Sequence, residues 1–123
     1  MREILFRGKR ADNGKWVYGF PYINHNCNYE IVCYDHKINF QRISFEVIPE
    51  TVGQYTGLTD RNGKKIFEGD IVKYINNSPC KIDYIDSQFV MMWENFYRNF
   101  ERVYDDQIEV IGNTYDNPEL LEV

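Results

Sequence analysis

At 123 residues the chain has the length of one domain that buries a core unaided, hiding roughly two thirds of its unfolded surface on folding. Hydrophobic residues make up 43% and aromatic residues 16%, which excludes a disordered chain and favours half-buried pleated surfaces over helices. The formal net charge of −5, from 14 Lys and Arg against 19 Asp and Glu, speaks against a broad phosphate-neutralising face, because that kind of binding draws on counterion release by clustered basic residues.

Ile4 and Phe6 alternate with charged neighbours, and Trp16, Tyr18 and Phe20 follow at period two. Asn13-Gly14 lies between these runs. The pattern predicts a hairpin, since Gly accepts the positive φ that strand-joining turns need. Tyr29 to Tyr34 (YEIVCY) predicts a short strand. Phe40 to Ile48 predicts another, with Ile43 and Phe45 on one face and Pro49 at its end. Asp60-Arg61-Asn62-Gly63-Lys64 repeats the turn device between Gln54 to Leu58 and Lys65 to Phe67. The flanks of the two Asn-Gly-Lys turns do not match, so they are not an internal repeat.

Asp70 to Ile75 reads as a strand, Asn76-Asn77-Ser78-Pro79 as a loop, and Cys80, Ile82 and Tyr84 as one face of the next strand. Phe89 to Tyr104 fits helical spacing through Phe89, Met92, Trp93, Phe96, Tyr97, Phe100 and Tyr104. Phe89 to Trp93 is equally an apolar run of strand length. The preferred reading is a strand from Gln88 to Glu94, then a loop and a short helical turn near Asn99 to Tyr104. Gln107 to Ile111 predicts a last strand, and Asn117-Pro118 the start of a one-turn helix. About eight to ten short strands with closely spaced turns suggest a barrel or sandwich. The expected fold is mainly β: one small domain over residues 1–123, an SH3-like or related partly open β-barrel with short helical turns.

Three blocks resemble the YopX family of small phage and prophage proteins. They are Met1 to Arg7, then Val52 to Leu58 with Asp60, Asn62-Gly63-Lys64 and Glu68 to Val72, and finally Ile108 to Asn113 with Tyr115 and Asn117 to Leu121. They lie at the start, middle and end, so the resemblance spans the chain, while Pro21 to Gln41 matches nothing characteristic. The resemblance implies a β-rich domain and a phage or prophage origin. It supplies no reaction, substrate or catalytic residue.

Candidate chemistry is sparse. His25-x-Cys27 with Cys33-x-x-His36 is the one metal-like constellation, since zinc takes two thiolates and two imidazoles. Its spacing is not that of a finger, and Cys33 shares a face with Ile31, so the reading is a small core hydrophobe and no metal. Asp60, Glu68 and Asp70 are carboxylates of the kind a metal-assisted hydrolase would converge. The structural reading is preferred: Asp60 caps its own turn, and Gly69-Asp70 forms a bulge or tight bend. No nucleophile-base pair and no phosphate-cradling glycine loop is legible, and no catalytic residue or cofactor is expected.

Exposed aromatics carry the binding hypothesis, because Tyr and Trp anchor protein partners and stack on bases. Trp93, Tyr97, Arg98 and Arg102 form the expected patch, with Phe96 and Phe100 among them; Tyr18, Phe20 and Tyr22 form a second set. The expected function is a non-catalytic accessory phage protein that binds another protein or self-associates. The alternatives are a nucleic-acid-binding small barrel and a metal-dependent hydrolase. Three cysteines are an odd number, Arg2, Glu3 and Arg7 interrupt any leader-like run, and no apolar run approaches the roughly 20 residues of a membrane span. Free thiols in the cytoplasm of a bacterial host are the expected setting.

Overall fold

The computed structural model describes residues 3–35, 41–74, 77–99 and 106–122. Its backbone is mainly β, and every strand pair is antiparallel. The chain divides into two compact units, Met1–Gln54 and Tyr55–Val123.

In the first unit, β1 (Phe6–Lys9), β2 (Trp16–Ile23), β3 (Tyr29–Asp35) and β4 (Gln41–Glu46) lie in the order β4-β3-β2-β1. The predicted Asn-Gly hairpin joins β1 to β2: Gly14 has φ 73°, and the Lys15 N–H donates to Asn13 Oδ1 at 3.0 Å. The other edge of β1 takes Gly53 and Gln54, which open β5 (Gly53–Thr59) and pair with Arg7 and Phe6. That edge also receives the end of the β4 segment. Arg10 bridges Val47, with Ile48 N–H donating to the Lys9 carbonyl at 2.9 Å and Ala11 N–H to the Glu46 carbonyl at 3.0 Å. The sheet thus curls back on its first strand along one short seam without closing into a barrel.

Two glycines make the curl. A Cβ on Gly8 would meet Ile31 Cγ1 and Val47 Cβ at 3.1 Å each, so Gly8 gives Ile31 and Val47 room to pack across it. A Cβ on Gly19 would drive into the Val32 carbonyl on the neighbouring strand. Pro49 stops the extended run, as predicted, by opening a 3₁₀ turn at Pro49–Thr51. Thr51 fixes that turn: its hydroxyl donates to the Ile48 carbonyl at 2.6 Å and accepts the Lys9 N–H at 2.9 Å.

In the second unit the rest of β5 pairs with β6 (Lys65–Phe67) around the second Asn-Gly turn, where Gly63 has φ 81°. The chain then bends at Glu68-Gly69. Gly69 takes φ 92°, a left-handed angle that only glycine adopts without strain, and the buried Asp70 carboxylate accepts the Phe67 N–H at 2.8 Å. Beyond the bend, β7 (Asp70–Tyr74), β8 (Cys80–Ile85), β9 (Gln88–Met92), β10 (Tyr97–Asn99) and β11 (Ile108–Asn113) form a five-stranded sheet in the order β10-β9-β8-β7-β11.

Its inner face follows from register. Val72 stands opposite Cys80, Ile82 opposite Met91 and Ile108 opposite Tyr74, so alternate residues supply one buried cluster with Ile66 and Phe89. Each large apolar side chain sealed this way contributes about 1.5–3 kcal/mol. The ambiguous apolar run is therefore strand β9. Asn99 ends strand β10, and the remainder of the helical turn expected near Asn99 to Tyr104 lies outside the described residues. The predicted C-terminal turn is present as a 3₁₀ turn at Pro118–Leu121. Among the described residues no helix is long and apolar enough to cross a membrane.

Candidate functional site

The β9–β10 hairpin brings the predicted aromatics to one end of the second sheet. Trp93 follows β9 and packs against the buried cluster. Its indole Nε1–H donates to the Ser78 carbonyl at 2.9 Å, which fixes the ring. Phe96 stacks on it, with centroids 4.9 Å apart and planes 13° from parallel. Phe96 is 59% exposed and Tyr97 50% exposed, far more than residues of this size need to be.

Register separates two residues that adjoin in sequence. Tyr97 stands opposite Met92, which stands opposite Lys81, so all three share the face opposite Met91. Arg98 stands opposite Met91 on the other face and stays exposed, its guanidinium 5.8 Å from the ring centre of Tyr74. Tyr97 and Arg98 are thus both exposed but on opposite faces, Trp93 packs on the cluster side, and Arg102 lies outside the described residues, as does Phe100.

Beside the patch is a hollow of about 620 Å³ lined by Pro79, Lys81, Met92, Trp93, Glu94, Leu121 and Glu122. Four of these are apolar and three charged, a mixed lining of the kind recognition pockets use. Lys81 is already engaged on the rim by Asp83 at 3.7 Å. Leu121 reaches the hollow from the C-terminal 3₁₀ turn. No local sequence signal announces this, since Trp93 and Leu121 meet only through the fold. The first unit has a hollow of about 430 Å³ lined by Arg10, Ala11, Asp12, Ser44, Phe45 and Glu46. Two of its charges pair with each other: Arg10 meets Asp12 at 2.7 Å, and the hydrogen bond from Arg10 keeps the Asp12 carboxyl below its ordinary pKa.

Asp60 caps its own turn, as expected from the sequence. Asp60 Oδ1 accepts the N–H groups of Asn62 and Lys64, both at 2.9 Å, and Oδ2 accepts Val110 N–H at 3.0 Å. Burial acting alone would raise its pKa, but these backbone donors and the Lys64 charge outweigh it and hold the carboxyl below the usual range. Asp70 holds the bend described above.

Of the metal-like set, His25 and Cys27 are exposed near the tip of the β2–β3 turn. Cys33 donates its Sγ–H to the Tyr18 carbonyl at 3.0 Å, and His36 lies outside the described residues. Among the described residues no three His, Cys, Asp or Glu side chains are placed to hold a metal ion.

The three thiols differ sharply in environment. Burial pushes the Cys80 thiol up to about 12, and burial also raises Cys33, only partly offset by its Tyr18 contact. Because the thiolate is the reactive species, a thiol reagent on the native protein at pH 8 is expected to modify Cys27 first, Cys33 slowly, and Cys80 only after unfolding. Peptide mapping of a labelling time course checks the order; early modification of Cys80 contradicts it.

A family model described as YopX protein matches residues 5–122, a span that runs through both units. The chain is also similar to the crystal structure of protein EF1440 from Enterococcus faecalis, at 25% sequence identity and a TM-score of 0.66, covering 99% of this chain and 100% of that one. Comparison with curated proteins finds no match.

Proposed function

The chain belongs to the YopX family, and we propose that it works as a non-catalytic accessory binding module in a phage or prophage setting, inside the bacterial host. It holds another protein, or a second copy of itself, at the β9–β10 patch. The observation that carries this reading is the exposure of Phe96 and Tyr97 at 59% and 50% beside the hollow around Trp93. Aromatic side chains so placed are the residues that dominate protein–protein binding energy. The stacked Trp93–Phe96 pair and the Trp93–Ser78 hydrogen bond pre-set the surface, which lowers the ordering cost of association.

The test compares wild type with the double variant Phe96→Ser, Tyr97→Ser. Both side chains are half exposed or more, so circular dichroism and melting temperature are expected to stay close to wild type. Self-association by sedimentation velocity, or retention of one specific protein from prophage-induced cells, is expected to fall at least about tenfold, since two aromatic anchors together contribute more than 1.4 kcal/mol. Identical sedimentation and an identical set of retained proteins for the two forms would overturn the assignment of the patch.

A further inference from the structure

A second surface, in the first unit, has chemistry of its own. Tyr18, Phe20 and Tyr22 alternate along β2 and therefore project from one face. They are 48%, 48% and 50% exposed. Tyr22 stands opposite Glu30 on β3, and Glu30 stands opposite Glu46 on β4. One row across three strands on that face is therefore aromatic, acidic, acidic. Like charges directly opposite one another in a sheet destabilise it. Among the described residues Asn24 steadies the row, its Nδ2–H donating to Glu30 Oε2 at 2.8 Å.

The same face already holds a cation on a ring. The Arg42 guanidinium of β4 lies 5.6 Å from the ring centre of Tyr22, and elsewhere in this unit Arg7 stacks on Trp16 at 4.7 Å and Arg10 on Phe45 at 4.3 Å. Aromatic faces in this unit repeatedly take guanidinium groups. Phe20, two residues before Tyr22, presents a further exposed ring, with Glu30 and Glu46 in the adjoining row.

We infer that the outer face of β2–β3–β4 docks an extended, arginine-rich protein segment. A guanidinium group stacks on Phe20, beside the Tyr22 ring that Arg42 already covers, and the segment's charge is met by Glu30 and Glu46. Charge complementarity fixes this choice of occupant. A nucleic-acid strand would use the rings but would set its phosphates against the two carboxylates, and an acidic segment would be repelled by them. The chain's net charge of −5 adds long-range attraction for a basic partner. This surface is distinct from the β9–β10 patch, so either assignment can fail alone.

Fluorescence anisotropy with a labelled eight-residue peptide alternating Arg and Ser tests it, with an Asp-Ser peptide and a labelled single-stranded oligonucleotide as controls. Three variants are measured: Phe20→Ser, Glu30→Gln with Glu46→Gln, and Phe96→Ser with Tyr97→Ser. Binding of the arginine peptide at low salt is expected to weaken about three- to fivefold when one exposed ring is removed. Removing both carboxylates is expected to cost about tenfold, and the β9–β10 variant to bind as wild type. The glutamine variant keeps side-chain shape and relieves the Glu30–Glu46 repulsion, so its fold is retained even if Phe20→Ser loosens β2. The inference is overturned if the arginine peptide does not bind, if all variants bind it equally, or if the oligonucleotide competes at this face and is released by Phe20→Ser.

Discussion

Asp60→Ala is expected to lower stability by about 3 kcal/mol, read as a shift in the urea midpoint with little change in slope. The side chain is 5% exposed. Its two oxygens accept N–H groups from Asn62, Lys64 and Val110, and hydrogen bonds to an ionised acceptor are worth about 1.5–3 kcal/mol each. The full sum is not expected, because Asn62 and Lys64 are exposed and water replaces part of what they lose. Val110 is less fortunate: its amide loses a partner in a partly buried setting.

The pH dependence follows from the sign of the pKa shift. The folded-state pKa of Asp60 is depressed, so its contribution is complete above the unfolded value of about 4 and disappears as pH falls through the folded value. Asp60→Asn has no charge to lose and turns an N–H toward Val110. Its stability gap to wild type is expected to be widest near neutrality and to narrow on acidification below about pH 4. A gap that stays constant from pH 7 down to pH 2.5, or so far as the fold survives, contradicts the charge-based account.

Gly19→Ala is expected to be at least as damaging, at about 3 kcal/mol or more. The added methyl would meet backbone, the Val32 carbonyl carbon at 2.9 Å and its oxygen closer still, with Ile31 Cγ2 at 3.2 Å. A flexible side chain can turn aside, but a carbonyl fixed in the β2–β3 pairing can move only with its strand. Relief therefore requires β2 and β3 to separate near Phe20–Val32. Gly14→Ala is the control. Its φ of 73° also disfavours a side chain, but the nearest atom to an added methyl is Lys9 Cε at 3.4 Å, so only the backbone strain of roughly 1–2 kcal/mol remains. Chemical denaturation of both variants gives the comparison, and a Gly19→Ala midpoint equal to that of Gly14→Ala refutes the clash.

Much of this architecture is legible from turn chemistry and alternation. The Asn13-Gly14 and Asn62-Gly63 turns, the stop at Pro49, the bend at Gly69-Asp70 and the 3₁₀ turn at Pro118 each rest on one residue with a special backbone requirement. The β8–β9 hairpin shows the limit. Asp86 and Ser87 both take positive φ, 52° and 66°, as a two-residue primed turn demands. Neither is glycine, so the turn is visible only in the pairing of Ile85 with Gln88.

The candidate site divides in the same way. That aromatics gather after β9 could be read from composition, and the stacked Trp93–Phe96 pair confirms their proximity. Which neighbours share a face depends on register: Tyr97 and Arg98 take opposite faces because they alternate on a strand, where helical or loop spacing would have kept them together. The capping half of Asp60 was legible in its turn, whereas its bond to Val110 was not, since no local pattern links positions 50 residues apart.

That span has a temporal meaning. The amides of Asn62 and Lys64 lie within four residues of Asp60 and can be gathered as soon as the loop forms, on the microsecond scale of hairpins. Val110 must come from 50 residues away, a contact slowed by the entropy of closing a long loop. Asp60 is thus bound early by one oxygen and late by the other, so the last strand is secured by an acceptor already held in place when it docks.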